Sequence, residues 1–251
     1  MNSGKICLIL FFVAVLAIGV SDRKKSSGGS AHAALHLHDF TVVTPQEIRR
    51  GPPAKRQIAL TFDAGSEADS FPELLGVLDR MQVKATFFLT GKWLVRYPQH
   101  AERLKISTHA IGNHSWAHPA YTGLSDAAMR SDLLAADTAL SEFFGVPIRP
   151  LFRPPFGDRD KRVLRILGEN GYLSVYWTLD TLDAMEPRKS SGFIARRVIA
   201  QTDEALDGAI ILAHVGYPET CAAMPVIISN LQTRGFVFVT LSEWLEPELR
   251  D

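Results

Sequence analysis

Asp63, Asn113, His114, Arg153, Asp180, Asp183 and His214 interrupt or close apolar runs, and each stands at or just after the end of a run rich in strand-forming residues. Asp63 ends the run 57–62, Asn113 and His114 follow one around Ile111, and Arg153 follows one around Phe152. Asp180 and Asp183 follow 174–178, and His214 ends 209–213. Any one of these could be a turn former, but their recurrence at corresponding places points to chemistry. His114 and His118 lie four residues apart. On one turn of helix that spacing puts both imidazoles on one face, which suits a divalent ion such as zinc. Asp63 and His214 supply a candidate base and a candidate acid beside them.

The elements that must position these residues alternate in type. Strand-like runs at 57–62, 85–89, around Ile111, around Phe152, and at 174–178, 209–213 and 236–241 are separated by helical patterns at 72–81, 94–104, 125–144, 161–169, 191–206 and 224–233. Ser125 is a natural N-cap ahead of the longest helix, and Gly145 followed by Pro147 is a natural stop. The alternation predicts a parallel α/β architecture, either an open doubly wound sheet or a barrel, and periodicity does not choose between them. In both, the C-terminal strand ends converge on one face, where loops build a site.

Three segments follow along the chain. Lys5 precedes an apolar run at 6–20, short for a membrane span but suited to the core of a secretory signal. Residues 1–20 are therefore expected to be a signal peptide, or an uncleaved anchor and so a membrane tether, because Arg23, Lys24 and Lys25 follow directly. Residues 21–53 are expected to be a flexible linker and N-terminal extension, and its histidines His32, His36 and His38 a solvated tail. Residues 54–251 are expected to be one catalytic domain, exported and extracytoplasmic. The 27 basic and 27 acidic side chains cancel, which argues against a nucleic-acid partner. Cys221 is the one cysteine beyond the leader, so no disulfide is available to the domain.

Five separated motifs then agree with one family. Thr61-Phe-Asp-Ala-Gly65, His114-Ser-Trp-Ala-His118, Arg153-Pro-Pro-Phe-Gly157, Asp180-Thr-Leu-Asp183 and Leu212-Ala-His214 resemble, in order and spacing, the motifs of the polysaccharide deacetylases, the NodB-homology domain of carbohydrate esterase family four. The resemblance spans about 57–245. It implies a distorted (β/α)7 barrel, and a metal-assisted hydrolase that removes N-acetyl groups from amino sugars in peptidoglycan or a chitin-like glycan. It implies Asp63 as base, Arg153 as the arginine that orients it and holds it ionised, and His114 and His118 as ligands of a divalent metal, zinc first. His214 is implied as the acid and Asp183 as its partner. The backbone N–H of Phe156 is implied in the oxyanion hole, and Leu212 in the wall around the acetyl methyl.

Two positions depart from the family pattern. Ala64 stands where an aspartate usually binds the metal, which predicts weaker metal retention; Glu67 and Asp69 are near enough in sequence to be considered as substitutes, although solvated loop charges are the simpler reading. Ala184 stands where a tryptophan is common, which opens one wall of the groove. A glycan-binding protein weakened in catalysis and an O-acetyl esterase are the alternative readings. Trp93, Trp116 and Tyr217 are candidates for stacking on sugar rings, with core packing equally able to explain Trp93.

Overall fold

The computed structural model describes residues 47–245; the expected leader, most of the expected linker and the last six residues of the expected domain lie outside the described residues. Strand β2 (Gln57–Ala64) sits between β3 (Thr86–Leu89) and β8 (Ile210–His214), and its residues are buried from Ile58 onward. Burial on both faces is what a central parallel strand requires, and it explains why the run reads as nearly continuous apolar sequence. The order across the sheet is β1 (Glu47–Ile48), β6 (Leu173–Val175), β5 (Leu151–Phe152), β4 (Ala110–Asn113), β3, β2, β8, β7 (Leu179–Asp180), with β9 (Val237–Phe238) pairing the start of β2. Every pairing is parallel. The sheet curls into a distorted barrel with helices outside, so the barrel reading holds over the open sheet. Among the described residues no helix is long and apolar enough to cross a membrane.

The run expected as one strand at 174–178 ends early: β6 stops at Val175, and a separate strand, β7, begins only at Leu179. β6 pairs with β5 and β1, whereas β7 pairs with β8 at the other end of the strand order. The chain between them crosses the remaining gap: Tyr176 N–H donates to Ile48 O (2.8 Å), Thr178 N–H to Ile210 O (2.9 Å) and Thr178 Oγ1 to Arg49 O (2.8 Å). β1 thus extends the sheet, and the end of the expected N-terminal extension belongs to the folded body.

Helix boundaries differ where proline and capping residues act. The pattern at 94–104 is cut into α2 (Gly91–Arg96) and α3 (Pro98–Lys105), since Pro98 lacks the N–H to continue one helix but suits the first turn of the next. The pattern at 191–206 is cut into α6 (Ser191–Ile199) and α7 (Asp203–Leu206), the second capped by Thr202. α8 (Pro218–Thr233) begins six residues before the expected start at 224 and carries Pro225 inside it. α1 (Phe71–Arg80), α4 (Asp126–Phe144) and α5 (Lys161–Glu169) fall within two residues of expectation, with Ser125 capping α4 and Gly145 ending it at φ 73°.

Side-chain alternation along the strands separates two layers. Ile58, Leu60 and Phe62 of β2 join the large cluster beneath the helices. Ala59 faces the other way into a second cluster with Phe88, Leu151, Val175, Ile210, Leu241 and Trp244, the filling of the barrel. Thr61 and Asp63 share the side of Ala59, as Leu212 and His214 share that of Ile210. Each strand thus climbs from apolar filling to polar mouth. Gly112 leaves room for this filling, because a Cβ there would stand 2.5 Å from the Phe88 ring.

Candidate active site

Asp63 and His214 are register partners on the neighbouring strands β2 and β8. Asp63 Oδ1 accepts from Arg153 Nη1 at 2.7 Å, and both side chains are buried, Arg153 completely. The same Nη1 donates to Thr61 Oγ1 at 2.9 Å, and Thr61 in turn donates to Ile211 O at 2.7 Å. Phe88 lies under the guanidinium, 4.2 Å from ring centroid to Cζ. Burial would raise the Asp63 pKa, but the Arg153 charge, with His114 and His214 behind it, outweighs burial and holds the carboxyl below its ordinary value.

The two histidines after β4 converge, but not on a helix. Residues 114–118 form a loop in which Ser115 (φ 74°) and His118 (φ 61°) take left-handed backbone conformations. This replaces the expected helical turn, and the rings meet edge-to-face with centroids 4.8 Å apart. Such conformations cost non-glycine residues about 1 kcal/mol or more each and persist where surrounding bonds over-determine them. Those bonds are present. Asn113 Oδ1 accepts from Ser115 N–H (2.8 Å), Ser115 Oγ from His118 N–H (2.9 Å), and Asp132 of α4 from the N–H groups of Trp116 (3.0 Å) and Ala117 (3.2 Å). Asn113, grouped by sequence with the chemical residues, therefore holds the loop.

His114 Nδ1 lies 2.8 Å from the carbonyl oxygen of Arg153, which can only accept, so Nδ1 carries the proton. Burial lowers the His114 pKa against the pull of Asp63, and burial together with His114 brings His118 down to about 4. Both rings are neutral near pH 7. The bare Nε2 of His114 then faces Asp63 Oδ2 at 3.4 Å. That bare Nε2, beside a second neutral imidazole at His118, is chemically suited to a cation. A third protein ligand is not in place: Ala64 offers none, and among the described residues no cluster of three histidine, cysteine, aspartate or glutamate side chains could hold a metal. Glu67 is turned to Arg96 (3.2 Å to each guanidinium nitrogen) and the Tyr97 hydroxyl (3.0 Å), and Asp69 does not line the cleft.

His214 Nδ1 is 2.8 Å from Asp183 Oδ1, and Asp183 Oδ2 accepts from the His214 N–H (2.8 Å) and from Thr220 Oγ1 (2.7 Å). Burial pushes the His214 pKa down, but the bond and charge of Asp183, supported by Asp63 and Asp180, carry it above its ordinary value. Burial would raise Asp183, yet the bonds from His214 and Thr220 keep it below the usual range. The neighbours on β2 and β8 are thus biased oppositely: a carboxyl toward its ionised form and an imidazole toward its protonated form.

The cleft above them holds about 450 Å³ and is lined by Asp63, His114, His118, Phe156, Leu212 and His214, with Trp177, Asp180, Ala184, Met185 and Tyr217 around them. Of the residues expected to do chemistry, Asp63, His114, His118, Phe156, Asp180, Leu212 and His214 line this cleft, whereas Arg153, Asp183 and Asn113 are buried beneath it. Phe156 is 70% exposed at φ 58°, with its ring edge-on to His118 at 4.4 Å. Gly157 (φ 66°) admits Trp177, since a Cβ there would lie 2.6 Å from its ring. Trp93 is buried in the core, Tyr217 lines the cleft, and Trp116 packs over Gly91. Thr61, Trp177, Asp132 and Thr220 are the participants that sequence reading missed. Thr61 carried a signal, lying two residues before Asp63 on the same strand face; Asp132 lies in a helical pattern that gives none, and Thr220 lies ahead of the helix expected at 224–233.

A parallel barrel whose mouth gathers an arginine-paired carboxylate, an aspartate-paired imidazole and two further imidazoles has the makings of a hydrolase. Residues 50–175 match the family model described as polysaccharide deacetylase. The chain is 32% identical to a peptidoglycan-N-acetylglucosamine deacetylase of Bacillus cereus, over 77% of this chain and 90% of that protein. It is 31% identical to the peptidoglycan-N-acetylglucosamine deacetylase PgdA of Listeria monocytogenes over 92% of this chain, and spans about half that protein's length (48%). Among solved structures, the family 4 carbohydrate esterase PdaA of Bacillus subtilis superposes with a TM-score of 0.75 at 27% identity, covering 83% of this chain and 88% of that one. A family 4 pseudoenzyme from Bacillus anthracis superposes with a TM-score of 0.74 at 28% identity, covering 80% and 69%. The chain belongs to the polysaccharide deacetylase family of carbohydrate esterase family four, a family of hydrolases.

Proposed function

We propose that this protein hydrolyses the acetamide groups of amino-sugar residues in an extracytoplasmic glycan, with peptidoglycan the substrate that its relatives' activities favour. The observation that carries the reading is the geometry on adjacent strands: Asp63 bonded to the buried Arg153 at 2.7 Å, which biases it toward the ionised form, and His214 bonded to Asp183 at 2.8 Å, which biases it toward the protonated form. Amide hydrolysis needs both: a base to activate water, and an acid to protonate nitrogen, because an amine anion is too poor a leaving group to depart unaided.

In this reading Asp63 takes a proton from the attacking water through Oδ2, the oxygen that Arg153 leaves free. Arg153 keeps that carboxylate ionised and fixed. The Phe156 N–H donates to the oxygen that becomes negative as the carbonyl is attacked, and Leu212 receives the acetyl methyl. His214, whose Nδ1 is committed to Asp183, hands its Nε2 proton to the departing amine. His114 and His118 would hold a divalent cation, zinc first, through their cleft-facing nitrogens, and that ion would supply Lewis-acid stabilisation of the developing negative charge. Acetate release from N-acetylated glycans, with and without chelator, tests the reading; release from no acetamide substrate, with the metal sites loaded, would overturn it.

Ala64 favours a second reading, a glycan-binding protein with little turnover. The B. anthracis neighbour is named as a pseudoenzyme, and a variant of it as one with restored enzymatic activity. A binder has no use for Arg153 beneath Asp63 or Asp183 beneath His214, which weighs toward catalysis. Glycan affinity without acetate release would select the second reading.

A further inference from the structure

We propose that Thr220 is a positioning residue for His214: its hydroxyl, on the first turn of α8, clamps the Asp183 carboxylate and so sets how tightly the Asp183–His214 pair holds its proton. The inference rests on the reading of His214 as the acid. Thr220 is buried, and its Oγ1 donates to Asp183 Oδ2 at 2.7 Å. Its backbone is fixed as well, since Thr220 N–H donates to Tyr217 O at 3.1 Å. Asp183 thus receives three bonds, of which Thr220 alone comes from outside the pair.

The direction of the effect follows from the geometry. A donor to Oδ2 stabilises the carboxylate anion and weakens its hold on the proton it shares with His214. Removing that donor leaves the carboxylate in place, because the backbone N–H and the ring of His214 still bind both oxygens. The pair should then hold its proton more tightly, and His214 should titrate at higher pH. A hydroxyl with only a packing role predicts otherwise: disturbing it would loosen the carboxylate and let His214 titrate lower. The other groups around His214 are Asp63 on β2, Asp180 at the end of β7, His114 and His118 from the loop after β4, and the Tyr217 ring at 6.3 Å with Arg188 over it. None of them bonds to the Thr220 side chain, so a substitution there isolates the clamp.

The test compares Thr220→Val, near in shape but without the hydroxyl, with Thr220→Ser, which keeps it, at equal metal content in the full chain. Two quantities are read: the titration of the His214 ring by NMR, and the alkaline limb of kcat/KM on an N-acetylated chitooligosaccharide. Thr220→Val should move the His214 titration up by about half a pH unit or more, with the alkaline limb following, and Thr220→Ser should restore both. If Thr220→Val folds poorly, Thr220→Ala should show the same upward shift. No shift, or a downward shift, in the variants lacking the hydroxyl overturns the proposal. An upward shift of the titration with an unmoved alkaline limb supports the clamp and instead refutes His214 as the acid.

Discussion

Replacing Arg153 by methionine tests the link between the fold and the base. The guanidinium is fully buried and bonds a carboxylate that is itself only 7% exposed, so solvent screening offers little compensation. Removing one partner of such a pair leaves a buried charge uncompensated and costs about 3–5 kcal/mol. For a domain of this size each kcal/mol lowers Tm by about 2–4 °C, so Arg153→Met should melt about 6–20 °C lower at neutral pH. The pH dependence should also reverse. In the parent, Asp63 titrates below its ordinary value, so its contribution is present above the unfolded pKa and lost as pH falls through the folded one. In the variant burial acts without Arg153, the folded pKa rises above the unfolded one, and stability is gained as pH falls through the raised value toward about 4. Calorimetry across pH 4–8 reads both effects, and the acid limb of kcat/KM should move to higher pH because the base must be ionised. Adding Asp63→Asn should recover much of the lost stability, since both charges are then gone. A single variant that melts within about 2 °C of the parent, with its acid limb unmoved, would refute the assignment of Arg153 as the group that keeps Asp63 charged.

Three further outcomes are expected. The double variant His114→Ala, His118→Ala should lose bound divalent metal and turnover together, read by metal analysis and acetate release; full activity would remove the metal from the mechanism. Ala64→Asp should be less stable than the parent without metal, because it buries a carboxylate at a fully buried position, and should bind zinc more tightly, by on the order of tenfold or more. Isothermal titration at equal pH checks this, and unchanged affinity would mean that the new carboxylate stays in the apolar layer and does not reach the ion. His214→Asn should lose on the order of 100-fold or more in rate together with the alkaline limb, while Asp183→Asn should shift that limb to lower pH by removing the charge that favours imidazolium, opposite to the shift expected for Thr220→Val.

The parallel strands and their polar ends were legible because β2 and β8 are central and buried on both faces, which leaves Asp63 and His214 conspicuous at the close of apolar runs. The choice of a barrel was not legible from periodicity, because closure depends on residues 176–178, whose apolar character continues that of β6 while their hydrogen bonds go to β1 and β8. The His114–His118 spacing suggested a helical turn, and the rings do meet. What brings them together is a strained loop held by Asn113, Ser115 and Asp132, and a spacing rule records distance along the chain without recording φ. Thr220 escaped because the helical pattern in the sequence starts at 224, and a threonine ahead of it has the same appearance whether its hydroxyl binds solvent or a buried carboxylate.

The departure at Ala64 and the retention of the proton-handling groups concern separable parts of the site. Asp63 takes its charge state from Arg153, which reaches it from the strand end after β5, and His214 takes its own from Asp183 and Thr220 on the far side of β8. Neither set includes residue 64, whose backbone carbonyl accepts from Thr90 N–H and whose side chain points into the apolar layer under the helices. An aspartate there would have to turn out of that layer before it could reach a metal, which is why Ala64→Asp is expected to cost stability in the absence of metal. Metal retention should therefore respond to residue 64 and the histidine pair, and the two limbs of the pH profile to Arg153, Asp183 and Thr220. If Ala64→Asp instead moved both limbs while leaving metal affinity unchanged, the division of labour drawn from the geometry would be wrong.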